Sequence, residues 1–396
     1  MRSLKGRTEF EMKRILAMLV TVAVALGAVG CSSAKGGKGQ MRDITSMELV
    51  SEMGVGWNLG NTLDVCSADR NGDGRLDEAP EEGEKVDETL WGNVMTTPQL
   101  FEELKADGIN AVRIPVTWRD HIGKAPDYKI DKEWLERVHQ VVKYAMQQDM
   151  YVIINLHHDG GGDPKYGAWI RKASRDYEEF EEKYTALWTQ IAESFKNYSD
   201  KLIFESMNEV GFDDMRRKDG YELLTKINQL FVDIIRESGG NNSERHLLIA
   251  GYWTDTEMTC SPMYKLPVDP EDRMIVSVHY YTPWQFCTTN QRKIWGGAGD
   301  VRVMTADVNK LKETFVDNGI PVIIGEYGTG AGNDPASRVY FCEMLTKLCA
   351  DSDIPCFFWD NGEEFDRKSF EWRTQGLIEA LNRAVSDEDY VPVKQS

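Results

Sequence analysis

The sequence lacks the features of several protein classes. None of its seven cysteines lies in a CxxC pair, so a zinc site is not expected. Basic residues are scarce, because 46 Lys and Arg stand against 65 Asp and Glu and give a formal net charge of −19. Such an acidic chain disfavours nucleic acids and anionic membrane surfaces as partners, whereas a neutral substrate meets no electrostatic penalty.

The N-terminus lacks a hydrophobic run long enough to span a bilayer. The apolar stretch at residues 15–29 is too short for a transmembrane helix, and it follows Lys13 and Arg14. This is the layout of a secretory signal, and AVGC at 28–31 resembles the lipobox of bacterial lipoproteins.

We therefore expect residues 1–30 to be a lipoprotein signal peptide, Cys31 to be lipidated, and residues 31–42 to be a flexible tether. An ordinary cleaved signal with an incidental cysteine is the alternative. The protein would be exported and held at a membrane by its lipid alone, at the outer membrane, on the cell surface or facing the periplasm.

Beyond the tether, short apolar runs alternate with longer amphipathic segments. Nearly continuous apolar runs are typical of parallel strands that are covered on both faces. The alternation predicts a single α/β domain over residues 43–390, a (β/α)8 TIM barrel. An open doubly wound sheet is the alternative, but no Gly-rich phosphate loop follows the first strand. The chain is expected to be a monomer. The predicted strands are 55–58, 111–116, 151–157, 202–209, 246–252, 275–281, 322–327 and 356–360.

Polar residues cluster where these predicted strands end. Any one of them has a simpler interpretation, as a buried ion-pair partner, a core histidine or a structural hydrogen-bond acceptor. Together they indicate an active site, because the carboxyl ends of barrel strands meet at one mouth. These residues include Arg113, His157, His158, Asn208, Glu209, His279, Tyr281, Glu326 and Trp359.

Glu209 and Glu326 end the fourth and seventh predicted strands and would face each other across the barrel. Hydrolysis of a glycosidic bond needs two such carboxyl groups, one protonated to assist the leaving oxygen and one ionised. A separation of about 5–5.5 Å would indicate a retaining enzyme with a covalent intermediate.

Motifs along the chain resemble glycoside hydrolase family 5, the cellulase-type family of retaining (β/α)8 glycosidases. They follow the order of the family and resemble its bacterial endo-β-1,4-glucanase and xyloglucanase branch. The motifs are GWNLGNTLD (56–64), AVRIPVTW (111–118), VIINLHHD (152–159), IFESMNEV (203–210), VSVHYYTPW (276–284), VIIGEYG (322–328) and FFWDNG (357–362).

The resemblance implies Glu209 as acid/base and Glu326 as nucleophile, with no cofactor required. It implies that Arg113 and Tyr281 keep Glu326 ionised and that Asn208 binds the sugar 2-hydroxyl. Because Glu209 must hold a proton, we expect its pKa to lie above the usual value. Further substrate-binding candidates are Asn61, His157, His158, His279, Trp359 and Trp284, although Trp284, like Trp57, could instead fill the core.

An acidic insertion at residues 66–88 departs from the family pattern. Its DRNGDGRLD stretch places Asp69, Asn71, Asp73 and Asp77 at the alternate spacing of an EF-hand calcium loop, with Gly74 at the turn. The twelfth position of an EF-hand loop is normally a glutamate that binds calcium, but here it is Pro80, so the pattern is incomplete. A structural Ca²⁺ is the prediction, and a solvated acidic loop is the alternative.

The sequence thus predicts a retaining endo-β-1,4-glucanase that acts on cellulose and mixed-linkage β-glucan. A xyloglucanase, mannanase or xylanase with the same catalytic pair is the first alternative. A surface glycan-binding lipoprotein without catalysis is the second, and a structural membrane-associated protein the third.

Overall fold

The structure is a computed structural model that describes residues 39–69, 86–162, 164–386 and 389–394. The predicted signal peptide, the lipidation site at Cys31 and most of the insertion lie outside these ranges. Among the described residues, no helix combines the length and the hydrophobicity needed to cross a bilayer.

Eight parallel strands close into a barrel in sequence order, and the last strand pairs with the first. This confirms the predicted (β/α)8 fold and excludes the open sheet. The strands are β1 Val55–Leu59, β2 Ile109–Ile114, β3 Tyr151–Ile154, β4 Leu202–Glu205, β5 Leu247–Asp255, β6 Met274–Tyr280, β7 Val322–Tyr327 and β8 Cys356–Asp360. A two-stranded sheet, β9 Phe365–Asp366 and β10 Glu371–Trp372, follows the barrel.

Helices pack around the sheet and begin at recognisable caps. The Asp131 side chain accepts a hydrogen bond from Trp134 N at 2.9 Å, as its N-cap position predicts. The helices are α1 Ser46–Ser51, α2 Pro98–Ala106, α3 Lys132–Gln147, α4 Tyr177–Phe195, α5 Arg217–Glu237, α6 Thr256–Thr259, α7 Trp284–Cys287, α8 Ala298–Thr314, α9 Pro335–Ala350 and α10 Leu377–Ala384. Short 3₁₀ turns cover Arg119–His121, Pro164–Tyr166, Trp169–Ser174, Gly240–Ser243 and Val316–Asn318.

The barrel interior changes from apolar to polar along the strands. The layer nearest the amino-terminal end of the strands, here called the lower layer, is apolar. Leu49 and Val50 of α1 and Met53 just after it cover this layer from below. Its members are Ala111, Tyr151, Ile153, Ile203, Leu248, Ile275, Ile323 and Phe357. Side chains two residues apart share a face of a strand. The next inward positions are accordingly Arg113, Asn155, Glu205 and Ser277, which hydrogen-bond to one another. The polar layer lies directly beneath the mouth of the barrel.

Several boundaries differ from the prediction, and three of them bear on the site or the tether. Strands β3 and β4 end at Ile154 and Glu205, so His157 and Glu209 lie in the loops beyond them. Arg42, which we assigned to the tether, is fixed to the barrel because its Nε donates to Asp200 at 2.6 Å.

Candidate active site

Arg113 on β2 organises the centre of the mouth. Its guanidinium is fully buried and donates to Glu205 at 2.7 Å, to Glu326 at 2.7 Å and to Asn208 Oδ1 at 2.8 Å. A buried cation is stable only when its donors are paired. Burial lowers the pKa of Arg113, but Glu205 and Glu326 outweigh this effect and raise it, so the positive charge is permanent. One side chain therefore fixes three acceptors on β4 and β7 and in the loop after β4.

Glu326 on β7 lies within a set of donors. Its Oε1 accepts from Arg113, its Oε2 accepts from the Tyr281 hydroxyl at 3.0 Å, and His279 Nδ1 is 3.6 Å from the same Oε2. The side chain is 7% exposed. These contacts hold both carboxylate oxygens in a fixed orientation.

Glu209 reaches the same space from the loop after β4. Its side chain is 41% exposed, and its Oε1 accepts from His279 Nδ1 at 2.8 Å. Its backbone is left-handed, with φ of 47°. A carboxylate oxygen of Glu209, one of Glu326 and a ring nitrogen of His279 all lie within 4.8 Å of one another. This spacing is typical of retaining rather than inverting glycosidases.

The pKa values of the two glutamates differ from our expectation. Burial raises the pKa of Glu209, but the hydrogen bond and charge of His279 outweigh burial and hold it below its usual value. The pKa of Glu326, in contrast, lies above its usual value. Burial and the charge of Glu209 raise it by more than His279 and Arg113 lower it. The expectation of a raised Glu209 pKa is therefore wrong for this arrangement. The physical reason is His279, whose own pKa is raised, despite burial, by the two carboxylates.

The two histidines after β3 are neutral. Burial holds the pKa of His157 well below its usual value and lowers that of His158 to about 4. The His157 ring stacks on Trp359 with centroids 5.7 Å apart and planes within 8°, and His158 packs edge-on against Trp91. Neutral rings beside an aromatic face can line a sugar site without attracting ions.

The remaining candidates occupy different environments. Asn61 has φ of 51°, and its backbone carbonyl accepts from Asn93 at 2.7 Å, which places it at the end of β1 beside the mouth. Trp284 begins α7 directly after β6 and is 55% exposed, so it does not fill the core. Trp57 is fully buried and donates to Asp360, so it is a core residue.

The sequence interpretation missed the residues that support Arg113. Glu205 accepts from Arg113, from Asn155 Nδ2 at 2.9 Å and from Ser277 Oγ at 2.8 Å, and Asn58 Oδ1 accepts from Arg113 at 3.1 Å. The sequence did contain a signal for these residues. Each lies two positions after an inward-facing residue of its strand, and side chains two residues apart share a face.

The proposed calcium ligands remain a prediction. Asn71, Asp73 and Asp77 lie outside the described residues, and Asp69 is 1% exposed. The described ends of the insertion are not solvated, since Cys66 and Ala68 pack against Trp91 and the buried Glu88 pairs with Arg137 Nη2 at 2.8 Å.

Comparison with known proteins agrees with this geometry. The family model described as cellulase (glycosyl hydrolase family 5) matches residues 77–365. The chain is 37% identical to endoglucanase B of Clostridium cellulovorans over 93% of this chain and 82% of that protein. It is 36% identical to endoglucanase A of Ruminococcus albus over 87% of this chain and 93% of that protein.

A solved structure supports the same assignment. The broad-specificity endoglucanase of Ruminococcus champanellensis with bound cellotriose, from subfamily 4 of this family, superposes with a TM-score of 0.77 at 32% identity, covering 87% of this chain and 100% of that chain. Glycosidases of this family require no cofactor for catalysis. The chain belongs to glycosyl hydrolase family 5.

Proposed function

We propose that the protein is a retaining endo-β-1,4-glucanase in which Glu326 is the nucleophile and Glu209 the acid/base. The observation that carries the proposal is the pair itself. Two carboxylates lie within 4.8 Å of one another, one held by Arg113 and Tyr281 and the other hydrogen-bonded to His279.

The positions of the two glutamates, rather than their pKa values in the free site, support these roles in a double displacement. Ionised Glu326 attacks the anomeric carbon while Glu209 transfers a proton to the departing glycosidic oxygen, and a glycosyl-enzyme ester forms. Glu209, now ionised, takes a proton from water, which attacks the ester and releases the sugar with Glu326 restored. His279 Nδ1 lies 2.8 Å from Glu209 Oε1, so protonated His279 passes its proton to Glu209 before the first displacement.

Asn208 and the aromatic residues would hold the sugar during these steps. Because Asn208 Oδ1 accepts a hydrogen bond from Arg113, its amide would contact a sugar hydroxyl through its N–H groups. Trp359 stacks on His157, and an apolar ring face of this kind suits the flat side of a glucose unit.

The relatives favour a β-1,4-glucan backbone and leave its decoration open. Relatives named endoglucanase are 33–37% identical, and the xyloglucan-specific endo-β-1,4-glucanase of Bacteroides ovatus is 33% identical. Xyloglucanase is therefore the second candidate, because it shares the backbone and the catalytic pair.

A substrate panel tests the proposal. Residues 41–396 would be assayed for reducing-sugar release from carboxymethyl-cellulose, mixed-linkage glucan, xyloglucan, mannan and xylan. We expect β-1,4-glucan cleavage that falls by about 10⁴-fold or more in Glu326→Gln. We expect a fall of about 10²- to 10⁴-fold in Glu209→Gln. The exposed Glu222→Gln on α5 is the matched control.

Each other outcome points to a different function. Cleavage of mannan or xylan alone would keep the mechanism and replace the substrate. Glycan binding without cleavage by the unmodified protein would identify a binding protein instead.

We further propose that the protein is exported and lipidated at Cys31, as a monomer that meets the membrane only through its lipid. The signal-like residues 1–30 support this proposal. Expression of Cys31→Ala in a bacterial host, followed by membrane fractionation, should release the protein from the membrane fraction.

A further inference from the structure

Arg171 joins three loops at the mouth of the barrel. It lies in the 3₁₀ turn Trp169–Ser174, and its side chain is 17% exposed. Its Nη1 donates to Gly162 O at 2.8 Å, in the loop after β3. Its Nε donates to Gly211 O at 3.1 Å and its Nη2 to Asp213 at 3.3 Å, both in the loop after β4.

The same guanidinium lies on an aromatic ring of a third loop. Its carbon is 4.5 Å from the centroid of Trp253, at the end of β5. Cation–π contact with tryptophan is favourable, and a planar guanidinium can also stack on the ring, which an ammonium cannot do. Trp253 in turn packs on Gly211, where an added Cβ would lie 2.3 Å from the indole nitrogen.

These contacts flank three non-glycine residues with a left-handed backbone. Glu209 has φ of 47°, and Trp253 and Thr254 have φ of 55° and 49°. Non-glycine residues hold such conformations only where their surroundings enforce them. The backbone of Trp253 also donates to Val210 O at 2.9 Å, directly after Glu209.

We propose that Arg171 is a positioning residue for Glu209, which it holds in its left-handed conformation by clamping the turn at residues 210–213 between the loops after β3 and β5. The inference rests on the proposed role of Glu209 as acid/base. Glu326 is held separately, by Arg113 and Tyr281. Loss of Arg171 should therefore impair proton transfer and leave the nucleophile intact.

Two substrates separate proton transfer from nucleophilic attack. Release of a sugar hydroxyl from a glucan needs a proton from Glu209, whereas 2,4-dinitrophenyl β-cellobioside has a leaving group that departs without one. For the aryl substrate, kcat/KM reports the first displacement alone. Azide, a nucleophile that needs no general base, replaces the base-assisted attack of water in the second displacement.

The experiment compares Arg171→Met and Arg171→Lys with Arg175→Met and Glu209→Gln in the full chain. Arg175 is the matched control, because it follows the same turn, is 73% exposed and pairs with Asp214 at 3.1 Å. We expect R171M to lower kcat on mixed-linkage glucan by about 10- to 100-fold. Its kcat/KM on the aryl cellobioside should fall by less than about threefold, and azide should raise its kcat as it does for E209Q.

R171K decides the question if R171M does not fold, because lysine keeps the charge but provides one nitrogen in place of three. R171K should show the same selective loss of kcat on the glucan, but a smaller one than R171M. Equal losses on both substrates, or R171M behaving like R175M, would overturn the inference. If unmodified protein cleaves no glucan, or E209Q shows no selective loss, the proposed function fails instead.

Discussion

At the amino-terminal end of the barrel, Leu49, Val50 and Met53 close a layer of apolar side chains, whereas the carboxyl end holds a buried arginine and two opposed glutamates. Apolar burial stabilises the fold at the first end. At the second end, Glu209 adopts a strained backbone and Arg113 requires full pairing of its charge. The contrast shows that the two ends of one sheet have different tasks. Side chains at the amino-terminal end stabilise the fold, and side chains a few residues further along the same strands form the reactive site.

Glu205 provides the strongest test of this separation, because it lies inside the sheet but serves the mouth. Glu205→Gln keeps the shape and removes one of the two charges that compensate Arg113, so we expect stability to fall by about 3 kcal/mol. Displacement of Arg113 should also lower kcat by about 10²-fold.

Denaturation by guanidinium and glucan assays would measure both losses, with the exposed Glu102→Gln on α2 as control. A change in stability with unaltered kcat would assign Glu205 to the structural end of the barrel.

Leu49 tests the opposite end. Leu49→Ala leaves a cavity beneath the lower layer, and we expect a loss of about 2–4 kcal/mol in unfolding free energy. The kcat at 25 °C should change by less than about twofold, because the polar layer separates Leu49 from the glutamates. Calorimetry and kinetics on the same sample check both values.

The exposed Ser51→Ala on the same helix should leave both quantities near the values of the unmodified protein. A large loss of kcat in Leu49→Ala would show that the two ends are coupled.

His246 sharpens the comparison through pH. It is fully buried, its Nδ1 lies 2.8 Å from Ser46 Oγ of α1, and burial lowers its pKa to about 3. Between that value and the usual pKa of 6.5, the unfolded chain binds a proton that the folded chain does not. The contribution of His246 to the unfolding free energy is therefore fully present above pH 6.5. It declines as the pH falls, by about 1 kcal/mol per pH unit.

His246→Gln cannot titrate but can still hydrogen-bond to Ser46. We expect its unfolding free energy to depend less on pH than that of the unmodified protein between about 4 and 6.5. Denaturation curves at several pH values would measure the slope. Identical slopes in the two proteins would show that other groups cause the acid sensitivity.

Local sequence signals were sufficient for the barrel. Continuous apolar runs located all eight strands, because this signal depends on neighbours in sequence. Asp131 at an N-cap and Pro98 in a first helical turn are signals of the same local kind. Strand ends were less accurate, since the loops after β3 and β4 also contain apolar residues such as Leu156 and Met207.

The site was predicted in part for a physical reason. The motifs brought Glu209, Glu326 and Arg113 to one mouth, and the structure places them in contact range. Glu205 and Arg171 were missed because their partners lie on other strands and loops. The lowered pKa of Glu209 was also missed. It depends on the contact between His279 and Glu209, which only the folded arrangement provides.

Closure of the barrel has a consequence for how the chain folds. Gly56 of β1 pairs with Phe357 of β8, so the sheet cannot close before β8 has been synthesised. Until then the first and latest strands present unpaired edges, which can recruit other chains. Contacts so distant in sequence also form slowly. Chains truncated before β8 should accordingly aggregate, because only the last strand removes both edges at once.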